Sequence, residues 1–129
     1  MLSRGDAILM PTPGSSSLHL WIIVTDPSKD SGAAAIVCIT TRRAHSDLTL
    51  IVKPSDHPWI KHDSVVMYAD SQVIDTIRLE QCMKTKPDDY VLQKECSTPF
   101  LNKIKEGLLR SKFTPRKITK YCISSWNSP

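Results

Sequence analysis

The chain has 129 residues and a formal net charge of +4, from 17 Lys/Arg against 13 Asp/Glu, with 40% hydrophobic residues and four cysteines. This length lets one domain bury a core without disulfide or metal staples, and Cys38, Cys82, Cys96 and Cys122 contain no C-x-x-C pair, which argues against a zinc knuckle or thioredoxin-type redox pair. The longest apolar stretch, Leu20 to Val24, is too short to span a bilayer, and Asp6, Pro11 and Pro13 break up the opening segment; no secretory signal is expected, and the chain reads as cytoplasmic with reduced thiols.

Short apolar runs rich in β-branched residues succeed one another: Ala7 to Met10, Leu18 to Val24, Ala34 to Ile39, Leu48 to Val52, Ser64 to Tyr68 and Gln72 to Ile77. Between them lies turn chemistry that continues neither strand nor helix easily, including Pro11-Thr12-Pro13-Gly14, Asp26-Pro27-Ser28, Asp30-Ser31-Gly32 and Lys53-Pro54-Ser55-Asp56. Five or six strands without intervening helices predict an antiparallel meander curled into a small β-barrel over residues 1–80. In the strongest run, alternation places His19, Trp21 and Ile23 on one face and Leu20, Ile22 and Val24 on the other.

After Pro87 the pattern changes. Ser97-Thr98-Pro99 is a helix start, with a capping hydroxyl and a proline in the first turn, and Phe100, Leu101, Ile104 and Leu108 then recur at helical spacing. Thr114-Pro115 begins a second helix, on which Ile118, Tyr121 and Cys122 make an apolar side and Lys112, Arg116 and Lys120 recur every four residues. The expected organisation is one mainly β domain over 1–129 with C-terminal helices over 97–123 and a frayed tail from Ser124 to Pro129. Residues 1–100 carry 10 Lys/Arg against 12 Asp/Glu, whereas residues 101–129 carry 7 against Glu106 alone. A basic end on a nearly neutral body suits a polyanion or an acidic protein partner, and it equally suits a solvated helical surface.

The densest polar cluster is Asp56-His57-Pro58-Trp59-Ile60-Lys61-His62-Asp63-Ser64. Two histidines that titrate near neutrality, a lysine, two carboxylates and a hydroxyl can together supply an acid, a base and a positive charge. The structural alternative is that His57 and Asp63 pin a loop by bonds to backbone while Trp59 and Ile60 plug the barrel end. A second concentration, Thr40-Thr41-Arg42-Arg43-Ala44-His45, follows the run Ile36 to Ile39; only one of the two threonines is expected to look into a given cleft, and the arginines can clamp a phosphate. His19, His57, His62 and nearby aspartates are suitable ligands for zinc or manganese, but their spacing resembles no dense metal motif, so no metal site is expected. With four glycines in the chain there is no phosphate loop or dinucleotide fingerprint, and no cofactor is expected.

Three segments resemble a known family. Gly5-Asp6-Ala7-Ile8-Leu9-Met10-Pro11, Leu20-Trp21-Ile22-Ile23-Val24 and Val37-Cys38-Ile39-Thr40-Thr41 are similar, in order and spacing, to strands of the PemK/MazF toxins, which are messenger-RNA interferases. The resemblance covers roughly residues 4–80. It implies a Src-homology-3-like barrel with C-terminal helices, usually dimeric, that cuts single-stranded RNA without metal and is paired with an acidic antitoxin. In that family an arginine and a Thr/Ser on these strands carry catalysis; by position the hydroxyl falls on Thr40, with Thr41 as the alternative, and the arginine falls on His19.

The reaction so implied is attack of a ribose 2′-hydroxyl on the adjacent phosphate, which needs a base, an acid and donors for developing negative charge. His19 and His62 are expected to share the acid and base roles, with His57 a second candidate acid. Thr40 and Arg42 would hold the phosphate, supported by Thr41, Arg43 and Lys61, with Ser64 or Tyr68 as minor donors. Trp59 can stack an unpaired base. The competing readings are a non-enzymatic barrel that binds nucleic acid or a protein through its basic C-terminal helices, and a metal-dependent hydrolase using His57 and His62.

Overall fold

The β-branched runs pair into one antiparallel sheet. A computed structural model describes residues 1–12 and 17–129, so Pro13 and Gly14 of the expected first turn lie outside the described residues. The strands are β1 (Ala7–Pro11), β2 (Leu18–Ile23), β3 (Ala33–Thr41), β4 (Ile51–Val52), β5 (Ser64–Asp75) and β6 (Val91–Gln93), in the order β4-β5-β3-β2-β1-β6. Among the described residues no ladder joins β4 to β6, so the sheet curls into a half-barrel instead of closing by hydrogen bonds.

Two of the expected strands, Ser64 to Tyr68 and Gln72 to Ile77, are one continuous strand. A register shift between Ile36 and Cys38 of β3 lets Ile36 face Gln72 while Cys38 faces Met67, and the surplus residues of β5 are taken up as a bulge. Such a bulge bends a strand and increases its twist, which curls the sheet. β5 ends at Asp75, whose carboxylate accepts from the backbone N–H groups of Ile77 and Arg78 and so caps the helix α1 (Thr76–Thr85). The sequence pattern had indicated neither α1 nor β6.

The C-terminal helices are α2 (Thr98–Arg110) and α3 (Arg116–Trp126). Ser97 Oγ accepts from Phe100 N at 3.2 Å, the cap expected from Ser97-Thr98-Pro99. The final turn of α3 takes in Ser124 to Trp126, and the Trp126 indole donates to Val24 O at 2.9 Å.

Alternation sorts the core into two layers. Leu20, Ile22, Val24, Val37, Ile39, Val66 and Tyr68 pack under Phe100, Ile104, Leu108, Ile118 and Cys122 of α2 and α3. Ile8, Trp21, Ile23, Ala34, Ile36 and Cys38 pack on the other face, beneath Leu79 of α1. Where α2 crosses β5, Tyr68 donates its hydroxyl to Ile104 O at 2.8 Å. A Cβ on Gly107 would overlap that hydroxyl, so only glycine lets helix and strand approach this closely. The cysteines are free, and burial pushes the Cys38, Cys96 and Cys122 thiols up to about 12. No helix among the described residues is long and apolar enough to cross a membrane.

Candidate active site

Antiparallel pairing brings the start of β2 beside the end of β3. Leu20 faces Ile39, so His19 and Thr40 are the next positions along; Thr40 and Thr41 in turn face Val65 and Ser64 at the start of β5. The 57–63 loop leads into β5 at the same end of the sheet. Together these segments enclose a cleft of about 320 Å³, with His19, Thr40, Thr41, Lys61, His62 and Ser64 as its polar lining and Leu18, Ile39, Trp59 and Ile60 as its apolar lining. The alternation of Thr40 and Thr41 led us to expect one of them in the cleft; both line it, because the cleft wraps the end of the strand.

Each cleft histidine has one ring nitrogen engaged by a threonine hydroxyl. His62 Nε2 lies 3.0 Å from Thr41 Oγ1, and His19 Nδ1 lies 2.8 Å from Thr12 Oγ1. The ring nitrogens that these bonds do not use are Nδ1 of His62 and Nε2 of His19. Thr12 was passed over in the sequence. The only available signal was its place just beyond β1, whose Met10 faces His19 across the hairpin.

The polar cluster divides in two. His57 is buried; its Nε2 lies 2.6 Å from Lys94 O and its Nδ1 accepts from Trp59 N at 3.0 Å. The Nε2–H group donates to the carbonyl, so both ring nitrogens are occupied, outside the cleft. Ile60 joins the core and Trp59 packs against it while also lining the cleft. Lys61 Nζ donates to Pro58 O at 3.0 Å, and Ser64 Oγ donates to His62 O at 3.0 Å. Asp63 pairs with Lys53 at 2.9 Å, and that bond holds its carboxyl below the usual range.

Tyr68 does not reach the cleft. It is buried under α2, and burial raises its phenol well above the ordinary value. Arg42 and Arg43 are exposed on the rim of an adjoining concavity of about 580 Å³, which shares Thr41 and His62 with the cleft. Among the described residues no three His, Cys, Asp or Glu side chains converge as a metal site would require.

No protein-family model and no curated protein matches the sequence. Solved structures do. An endoribonuclease in complex with its cognate antitoxin, from a mycobacterial species, superposes with a TM-score of 0.57 at 18% identity, covering 89% of this chain and 98% of that one. The MazE–MazF complex of Deinococcus radiodurans superposes with a TM-score of 0.55 at 12% identity, covering 84% of this chain and 92% of that one. The fold is that of the MazF-like toxins, as the three strand segments implied.

Proposed function

We propose that this chain is a toxin-like endoribonuclease that cleaves single-stranded RNA without a metal ion, acts in the cytoplasm as a homodimer and is restrained by an acidic antitoxin. The observation that carries this reading is the convergence of His19 and His62, from segments far apart in the chain, on one cleft that also holds the hydroxyls of Thr40 and Thr41. The MazF-like fold supports it, because the solved structures it resembles are an endoribonuclease in complex with its cognate antitoxin and a MazE–MazF complex.

In this reading one histidine takes the proton of a ribose 2′-hydroxyl as its oxygen bonds to phosphorus. The other protonates the leaving 5′-oxygen as the P–O5′ bond breaks, which leaves a 2′,3′-cyclic phosphate. Thr40 donates to a phosphoryl oxygen, with Ser64 behind it, while Thr41 orients His62. Where the family carries an arginine this chain has His19, so positive charge for the phosphate comes from Lys61 in the cleft and from Arg42 and Arg43 on its rim. Trp59 offers a ring face to an unpaired base, a contact worth about 1–3 kcal/mol. His57 and Tyr68 have no part in this scheme, because both are fully engaged elsewhere.

The test is incubation of the purified chain with mixed-sequence single-stranded RNA, with and without chelator, beside His19→Ala and His62→Ala. Cleavage that survives the chelator and vanishes in both variants is expected; intact RNA in every lane sinks the proposal. A second reading, a non-enzymatic module, is favoured by a concavity lined by Lys29, Lys117 and Lys120 together with Asp30. It predicts salt-sensitive nucleic-acid binding that is lost when Lys112, Arg116 and Lys120 are replaced and is indifferent to His19 and His62.

A further inference from the structure

We propose that the cavity between α1 and the sheet is a second binding site, suited to a small neutral molecule with an apolar body and a carbonyl oxygen; this goes beyond the endoribonuclease reading and does not depend on it. The cavity, of about 340 Å³, lies on the sheet face opposite α2 and α3. Helix α1 covers that face incompletely, since only Thr76 and Leu79 of the helix are buried. The volume is at the lower end of the range for small-molecule sites, which suits a ligand with a single ring.

Alternation along β2 and β3 turns Trp21 and Ile36 to this face, Met10 and Ile74 join them from β1 and β5, and Leu79 closes the other side from α1. These side chains offer an apolar body its contacts. One group among them has another need: the Trp21 side chain is fully buried, and its Nε1–H meets no acceptor. An indole N–H can only donate, and a buried donor without a partner destabilises the fold, so an acceptor oxygen beside it is strongly favoured. Trp21 lines this cavity and not the cleft of His19 and His62, which places the acceptor here. Ser71 Oγ, the other such atom among the described residues, lines neither.

The charges decide between an acid, a base and a neutral ligand. Arg78 and Asp75 both line the cavity, one of each sign, and Asp75 already accepts from Ile77 N and Arg78 N. A carboxylate would gain Arg78 but meet Asp75, and an ammonium would meet the reverse. Neither sign is favoured, and a neutral ligand gives up the least hydration on entry.

Acetophenone is the probe: one ring, no charge and one carbonyl. α-Methylstyrene has the same outline with a methylene group in place of the oxygen, and benzoate has a similar outline with a full negative charge. In ¹H–¹⁵N spectra of the full chain the indole N–H signals of Trp21, Trp59 and Trp126 are told apart with Trp59→Phe and Trp126→Phe. Acetophenone should move the Trp21 signal downfield to saturation. α-Methylstyrene should bind about 2–10-fold more weakly, the usual worth of one hydrogen bond, and benzoate should also bind more weakly than acetophenone. Trp21→Phe keeps an aromatic ring but removes the donor, and should make acetophenone and α-methylstyrene bind alike; the wild-type comparison decides even if that variant does not fold.

Cys82 reports the location. It lines the cavity and is half-buried, whereas Cys38, Cys96 and Cys122 are buried, so iodoacetamide should label Cys82 first and acetophenone should slow that labelling. A Trp21 signal that stays still up to the solubility limit of acetophenone overturns the proposal, as does equal binding of acetophenone and α-methylstyrene to the wild-type chain. Tighter binding of benzoate overturns the neutral class. A Trp21 signal that shifts with protein concentration alone means that a second copy covers the cavity, which also overturns the proposal. Whether the chain cuts RNA alters none of these outcomes.

Discussion

Thr41 Oγ1 lies 3.0 Å from Nε2 of His62, a contact made across 21 residues of sequence between the end of β3 and the loop that enters β5. Because Thr41 also faces Ser64 in the ladder, the same pairing that builds the sheet fixes where His62 stands. The bond orients the imidazole and leaves Nδ1 as its working nitrogen.

Replacing either cleft histidine should nearly abolish RNA cleavage. His19→Ala and His62→Ala are each expected to lower the rate by about 10²–10⁴-fold, the usual contribution of a positioned acid or base. Thr41→Val, which removes only the orienting hydroxyl, should cost less than His62→Ala. A gel assay on one fluorescent single-stranded RNA ranks the three variants, and a Thr41→Val loss equal to that of His62→Ala would show that the hydroxyl itself touches the phosphate.

His57→Ala should behave in the opposite way. The variant removes a buried ring and strips Lys94 O and Trp59 N of part-buried hydrogen bonds, a loss of about 0.5–1.5 kcal/mol for each bond. The urea midpoint should fall accordingly, while cleavage measured well below that midpoint persists. A dead but fully stable His57→Ala protein would return this residue to the chemistry.

At the crossing of α2 and β5, Gly107→Ala should destabilise the fold by about 1–3 kcal/mol through overpacking against Tyr68. Tyr68→Phe alone loses the bond to Ile104 O, worth about 1 kcal/mol. Combined, the two should cost less than their sum, because removing the phenolic oxygen relieves the closest part of the overlap, leaving the ring carbon at 2.8 Å. Denaturant unfolding of the four proteins in a double-mutant cycle measures the coupling.

Acid should weaken the fold partly through Asp47. Burial pushes its carboxyl up, but the bonds it accepts from Thr49 and Ser111 outweigh that and hold it below its ordinary value of 3.8. A depressed carboxylate stabilises the folded state fully above the unfolded value, and this contribution disappears as pH falls through the lower folded value. Asp47→Asn should therefore flatten the part of the acid-unfolding curve below pH 3.8, read by circular dichroism against pH. An acid limb of unchanged slope would mean that other carboxylates dominate it.

The elements that could be read from sequence are those whose pattern does the folding. The Leu18–Ile23 strand alternates cleanly into two core layers, and Ser97-Thr98-Pro99 carries its own cap. Helix α1 carried little signal, since only Thr76 and Leu79 of its ten residues are buried and Ile77 is exposed. β6 is three residues long and none of them is buried. At the site, His19, Thr40 and His62 were legible as candidates, but which histidine of the 57–62 segment lines the cleft was not. That depends on the turn at 57–60, where Ile60 N donates to His57 O and Ile60 is drawn into the core. Thr12 was invisible because its role comes from a side chain met across a hairpin.

The late position of β6 also has a consequence for synthesis. β1 leaves the ribosome early with its outer backbone groups unsatisfied, and the strand that covers them, Val91–Gln93, follows once more than two-thirds of the chain has been made. Until then the nascent hairpin presents an open β-edge to its neighbours on a polysome. A message truncated before the codon for Val91 would release a product whose β1 edge stays uncovered.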